Sequence, residues 1–119
     1  MTVTTSPTHL SDIDLAKIRR FAERRIPPRA RHQVRLEVEV HGSVVTIIEC
    51  RAPWSPTIGP EWTSYPIAQL RFNRSTPLWS LYWRDAEVRW HRYEGIHPAA
   101  HVDPLLVEIE ADPMARFWG

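Results

Sequence analysis

Apolar positions along this chain recur first at helical spacing, then by strict alternation, then at helical spacing again. Leu15, Ile18, Phe21 and Ala22, with Ile13 at the margin, form one stripe, while Arg19, Arg20, Glu23 and Arg24 lie off it. Ser11 precedes the stripe as an N-cap, Asp14 stands where the acidic half of a capping box falls, and Leu10 and Leu15 are spaced for a hydrophobic staple. Pro27-Pro28 stops the pattern. The spacing predicts a helix over about residues 12–25.

Alternation takes over at Val34. Val34, Leu36, Val38 and Val40 alternate with Arg35, Glu37 and Glu39, a strand with one wet face. After the turn His41-Gly42-Ser43, residues Val44 to Arg51 carry apolar side chains on both faces, as a central strand does. Residues 52–63 hold three prolines and a glycine and predict a loop, pinned to the body by Trp54 and Trp62. Tyr65 to Asn73 reads as a third strand with Ala68, Leu70 and Phe72 on one face and Pro66 at its start or on an edge.

The stretch Leu78 to Glu94 is the most aromatic part of the chain. It holds Trp79, Trp83 and Trp90 with Tyr82, Tyr93, Arg84, Arg89 and Arg92, and it predicts two short strands around a tight turn at Arg84-Asp85. Trp79, Leu81 and Trp83 share one face; Ser80, Tyr82 and Arg84 share the other. Beyond Gly95, Val102, Leu105, Leu106 and Ile109 form a second helical stripe, with Glu108 and Glu110 on the water side. Asp103-Pro104 is a candidate helix start, Asp112-Pro113 its end, and Phe117 and Trp118 in the tail are too apolar to be free. The predicted fold is α+β: an antiparallel, meander-like sheet of about five strands packed by an N-terminal and a C-terminal helix. Residues 1–10 are expected to be flexible and 11–119 to form one domain.

Composition adds three constraints. Six tryptophans let a 119-residue chain fill a core with few side chains. The single cysteine, Cys50, excludes an internal disulfide and reads as a small buried hydrophobe. The net charge of +1 conceals a block from Lys17 to Arg35 in which eight cations face only Glu23. No stretch approaches the roughly 18 apolar residues of a membrane span, and the start MTVTTSPTHLSDID has no signal-peptide pattern, so a cytoplasmic location is expected.

Several short stretches carry a resemblance: Phe21-Ala22-Glu23-Arg24-Arg25-Ile26-Pro27, Arg51-Ala52-Pro53-Trp54, Ile67-Ala68-Gln69-Leu70-Arg71-Phe72, Trp79-Ser80-Leu81-Tyr82-Trp83-Arg84, Trp90-His91-Arg92-Tyr93, and the closing Asp112-Pro113 with Phe117-Trp118-Gly119. In their order and aromatic content they resemble the bacterial domain-of-unknown-function family 3024, over about residues 13–119. The resemblance brings no activity and no functional residues.

Three constellations bear on chemistry. With the tryptophans in the core, Tyr82, Arg84, Arg89, His91 and Tyr93 remain as a wet aromatic–basic sheet face, on which bases stack and phosphates pair. His91 and Arg89 are expected near that open face. Arg20, Arg24 and Arg31 of the basic block suit phosphates or an acidic protein surface, or else form an ordinary solvated face. His91, Glu94, His97 and His101 follow the pattern H-x2-E-x2-H-x3-H, ligand types that zinc accepts, although Gly95 and Pro98 interrupt it. The leading expectation is a non-enzymatic binding module for nucleic acid or a protein, without a cofactor. The alternatives are a small metal-assisted hydrolase using the His/Glu cluster, and a structural protein that dimerises through its exposed sheet face.

Overall fold

The structure, a computed structural model, describes residues 10–53 and 61–118. Its elements are α1 (Asp12–Arg25), β1 (Val34–His41), β2 (Val44–Arg51), β3 (Thr63–Asn73), β4 (Leu78–Arg84), β5 (Trp90–Arg92) and α2 (Asp103–Ala111), with a short 3-10 turn at Pro28–Ala30. The strands form one antiparallel sheet in the order β1-β2-β3-β4-β5, so the predicted α+β meander with two helices is what the chain forms. Most of the expected N-terminal flexible segment, and the contact expected of Trp54, lie outside the described residues. Within them, Leu10 is already buried, and Trp62 is half-buried with the Arg35 guanidinium 4.2 Å above its ring.

One face of the sheet makes the core. Val45 and Ile47 of β2, Ala68 and Leu70 of β3, and Trp79 and Leu81 of β4 are buried on it. Ile18, Phe21 and Ala22 of α1 and Leu105, Leu106 and Ile109 of α2 cover them. Both helical stripes thus sit where their spacing put them, except that Ile13 is 67% exposed. In β3 the alternation breaks: Ile67 and Ala68 are consecutive and both buried. A bulge explains it, because Ile47 pairs with Ala68 while Ile48 pairs with Pro66, leaving Ile67 as an extra residue. Pro66 therefore lies inside β3, at the bulge, where β4 no longer pairs with the strand.

The second half of the hairpin differs from its expected form. Asp85 to Arg89 make a five-residue loop, not a tight turn, because the Asp85 carboxylate organises it. Asp85 Oδ1 accepts from the backbone N–H of Glu87 at 2.8 Å and of Arg89 at 2.9 Å. Only three residues remain for β5, with Tyr82 opposite Arg92, Trp83 opposite His91 and Arg84 opposite Trp90. His91 therefore shares the face of Trp83, the helix-covered side, and not the open face.

Asp14 is the largest departure. It is buried in α1, and its carboxylate does not turn back to cap the helix, although its own N–H donates to Ser11 Oγ at 3.3 Å. Asp14 Oδ2 accepts from the Trp79 indole N–H at 3.3 Å and Oδ1 from the Val102 N–H at 3.2 Å. One carboxylate thereby ties α1, β4 and the start of α2 together. Val102 is the N-cap of α2, and Asp103, expected as that cap, pairs with Lys17 at 2.8 Å instead.

The C-terminal tail is fastened by a second carboxylate. Asp112 ends α2 in the left-handed region, at φ 44°, and accepts from the backbone N–H groups of Arg116, Phe117 and Trp118. Phe117 is buried, and the Trp118 indole donates to the Ile109 carbonyl at 2.7 Å, so neither ring is free.

Candidate nucleic-acid interface

The residues expected on a wet sheet face scatter. Tyr93 is in the core, 1% exposed: its hydroxyl donates to Glu108 Oε2 at 2.7 Å and its ring packs on Phe117 at 5.3 Å. Burial, reinforced by the Glu108 carboxylate, pushes its pKa up to about 12. Glu108, expected to face water, is half-buried by that contact. Arg89 belongs to the hairpin loop beside Glu87, both heavily exposed, and faces no sheet neighbour.

Tyr82 does lie on the open face, where no described helix packs. Register sets Thr46, Gln69, Tyr82 and Arg92 in a row across β2, β3, β4 and β5. Gln69 Nε2 donates to Thr46 Oγ1 at 3.0 Å, Arg71 Nε donates to Gln69 Oε1 at 3.0 Å, and the Arg71 guanidinium lies 3.8 Å above the Tyr82 ring. Exposed Arg92 and half-buried Trp90 continue this face onto β5. Arg84, at the end of the row, covers the ring of Tyr65 at 3.9 Å. None of Arg71, Arg84 and Arg92 has a carboxylate in ion-pair reach among the described residues. The acids of this face, Glu37 and Glu39, stand on β1 at the opposite edge, and Arg35 already takes Glu37 at 3.3 Å. Arg71 was not singled out in the sequence. The signal that finds it is the β3–β4 register, which sets Arg71 opposite Ser80 and diagonal to Tyr82, and which no periodicity supplies.

The basic helix sits on the other side of the molecule. Lys17, Arg20 and Arg24 line a groove of about 490 Å³ between α1 and α2, with Leu106, exposed Val107 and Ala111 beneath them. Lys17 is engaged by Asp103, whereas Arg20 and Arg24 have no carboxylate partner among the described residues. Arg31 is committed elsewhere. It donates to the Glu23 carbonyl at 2.9 Å and the Ile26 carbonyl at 3.2 Å, closing the C-terminal end of α1, so it is a capping residue.

The histidine cluster does not converge. Among the described residues no three His, Cys, Asp or Glu side chains stand together as metal ligands, which removes the set His91, Glu94, His97 and His101. His91 bonds Asp85 at 2.6 Å and stacks on Trp83 at 4.8 Å, while His101 approaches Asp14 at 3.6 Å. The His91 ring, aided by the Arg89 and Glu87 amides, holds the Asp85 carboxyl below the usual carboxylate range. Such a His–Asp pair orients a base in nucleophilic enzymes, but no hydroxyl or thiol bonds His91 among the described residues. Burial pushes the Cys50 thiol up, against a weak contact with Ser64 at 3.9 Å, so it stays protonated and unreactive at neutral pH. No described helix is long and apolar enough to cross a membrane.

These features define an α+β protein with a helix-covered antiparallel meander and one arginine-bearing face on which no described helix packs. The family described as Domain of unknown function (DUF3024) matches residues 5–119, and the chain belongs to it. No curated protein and no solved structure matches.

Proposed function

We propose that this chain is a non-enzymatic binding module whose open sheet face engages single-stranded nucleic acid. The observation that supports it is the open-face group of Arg71, Tyr82 and Arg92, with Trp90 beside it: the Arg71 guanidinium stands 3.8 Å above the Tyr82 ring, no described helix packs on this face, and neither arginine has a carboxylate in ion-pair reach among the described residues. A guanidinium held on a tyrosine ring is already ordered. Its outer plane accepts a stacked base and its edges meet phosphate oxygens. Arg71 covers Tyr82, so a base stacks on the guanidinium and not on the phenol. Little sequence preference is expected, since nothing on this face is shaped to read base edges.

The test is a tryptophan-fluorescence titration with mixed-sequence single-stranded DNA and RNA at about 50 mM and about 200 mM salt. Quenching at micromolar ligand that weakens steeply with salt, and that Arg71→Gln and Tyr82→Ala reduce, is the expected result. A folded sample that gives no change at low salt overturns the reading. A second reading, an acidic protein partner, is favoured by the α1–α2 groove, where Arg20 and Arg24, without a carboxylate partner among the described residues, flank an apolar floor with exposed Val107. Loss of binding in Arg20→Gln/Arg24→Gln, with Arg71→Gln unaffected, would transfer the function to that side.

A further inference from the structure

At the bulged end of β3, the sheet and the C-terminal tail border an open cavity of about 500 Å³, the size of sites that hold small organic molecules. Its walls include the rings of Tyr65, Trp83, Phe117 and Trp118. Two guanidiniums stand among them. Arg84 lies on Tyr65 at 3.9 Å, and Arg116 lies on Trp83 at 4.0 Å.

Two guanidiniums and two carboxylates, Glu49 and Asp85, share the wall, and each carboxylate is bonded by a neighbour outside it. Glu49 is taken by Arg51 at 3.1 Å, and Asp85 by His91 at 2.6 Å. Arg84 and Arg116 are left without a carboxylate among the described residues, and the Arg84 Nε–H is buried with no acceptor. The second arm is also held in place. Asp112 accepts from the backbone N–H groups of Arg116, Phe117 and Trp118, fixing the tail from which Arg116 reaches Trp83. Fixed cations between aromatic walls make a preorganised anion site, because the ordering cost of the arginine side chains is met on folding rather than on binding.

We propose that this cavity binds a small flat organic oxyanion, a ring carrying a carboxylate or a phosphate. The ring lies against the aromatic wall, and the oxyanion takes the donor edges of Arg84 and Arg116, which stacking leaves open. The site is separable from the nucleic-acid reading: Arg84 borders both, but Arg71, Tyr82 and Arg92 do not line the cavity.

Isothermal titration calorimetry of the full chain with adenosine monophosphate and with benzoate tests the proposal, with adenosine as the uncharged control. Saturable binding of at least one charged probe at one per chain is expected, with none of adenosine. Binding of the nucleotide alone assigns a phosphate ligand, and binding of benzoate alone a carboxylate. Arg116→Gln, on an exposed tail residue, is expected to weaken binding about tenfold or more, the cost of a lost charged hydrogen bond. Arg71→Gln is expected to leave this binding unchanged while it weakens the oligonucleotide titration, which separates failure of one site from failure of the other. No saturable heat from either charged probe, adenosine binding as tightly as its phosphate, or unaltered affinity in a folded Arg116→Gln overturns the proposal.

Discussion

Tyr82 and Tyr93 come from the same hairpin and end on opposite sides of the sheet. Tyr93 is enclosed: its hydroxyl reaches Glu108 and its ring meets Phe117. Tyr82 is half-exposed, and the Arg71 guanidinium lies on its ring. The same contrast holds across the molecule. On the covered side, rings bring their polar ends to carboxylates, as Trp79 does to Asp14. On the open side and at the sheet's end, rings lie under arginines, as Tyr65 does under Arg84 and Trp83 under Arg116. Buried N–H and O–H groups need an acceptor, whereas a partly wet ring offers its negative face to a cation. Asp14, Glu108 and Asp112 are therefore occupied by internal donors, while Arg71, Arg84 and Arg92 have no acid in ion-pair reach among the described residues. A net charge of +1 understates how basic the available surface is.

The contrast breaks hardest at Asp14. Asp14→Ala leaves the Trp79 indole N–H and the Val102 N–H buried without acceptors, and is expected to cost about 3 kcal/mol in urea unfolding. Next comes Gly95. A Cβ there would stand 2.5 Å from the Tyr93 ring, which Glu108 and Phe117 hold in place, so Gly95→Ala is expected to cost about 2 kcal/mol by the same measurement.

Tyr93→Phe sharpens the comparison with less damage, at about 1 kcal/mol for the lost hydrogen bond. It also carries a pH signature. The folded-state pKa, at about 12, stands above the ordinary tyrosine value near 10. The stabilising contribution is then complete below about pH 10 and disappears as pH rises through about 12. Unfolding free energies measured across that window should fall more steeply in the parent chain than in Tyr93→Phe. The smallest effect on stability belongs to the open face: Arg71→Gln should change it by no more than about 0.5 kcal/mol while weakening oligonucleotide binding. A loss on the scale of Asp14→Ala would make Arg71 a structural residue.

Local pattern determined most of the elements of this protein, the short β5 and its five-residue loop excepted. Apolar spacing placed α1 between Ser11 and Arg25, β2 from Val44 to Arg51, and the buried stripe Val102, Leu105, Leu106 and Ile109, since side-chain direction repeats with the backbone period. Partners were not legible in the same way. Asp14 occupies a capping-box position, yet its carboxylate is used by residues 65 and 88 positions away, across the core. Tyr93 alternates like a wet residue, yet Glu108 of α2 closes over it. His91 reads as open-face, yet the loop that Asp85 organises sets it opposite Trp83. Arg31 reads as a free cation, yet the chain folds it back onto the end of α1. Periodicity tells which way a side chain leaves its own element. What stands there to meet it depends on how the elements pack, and that only the tertiary structure decides.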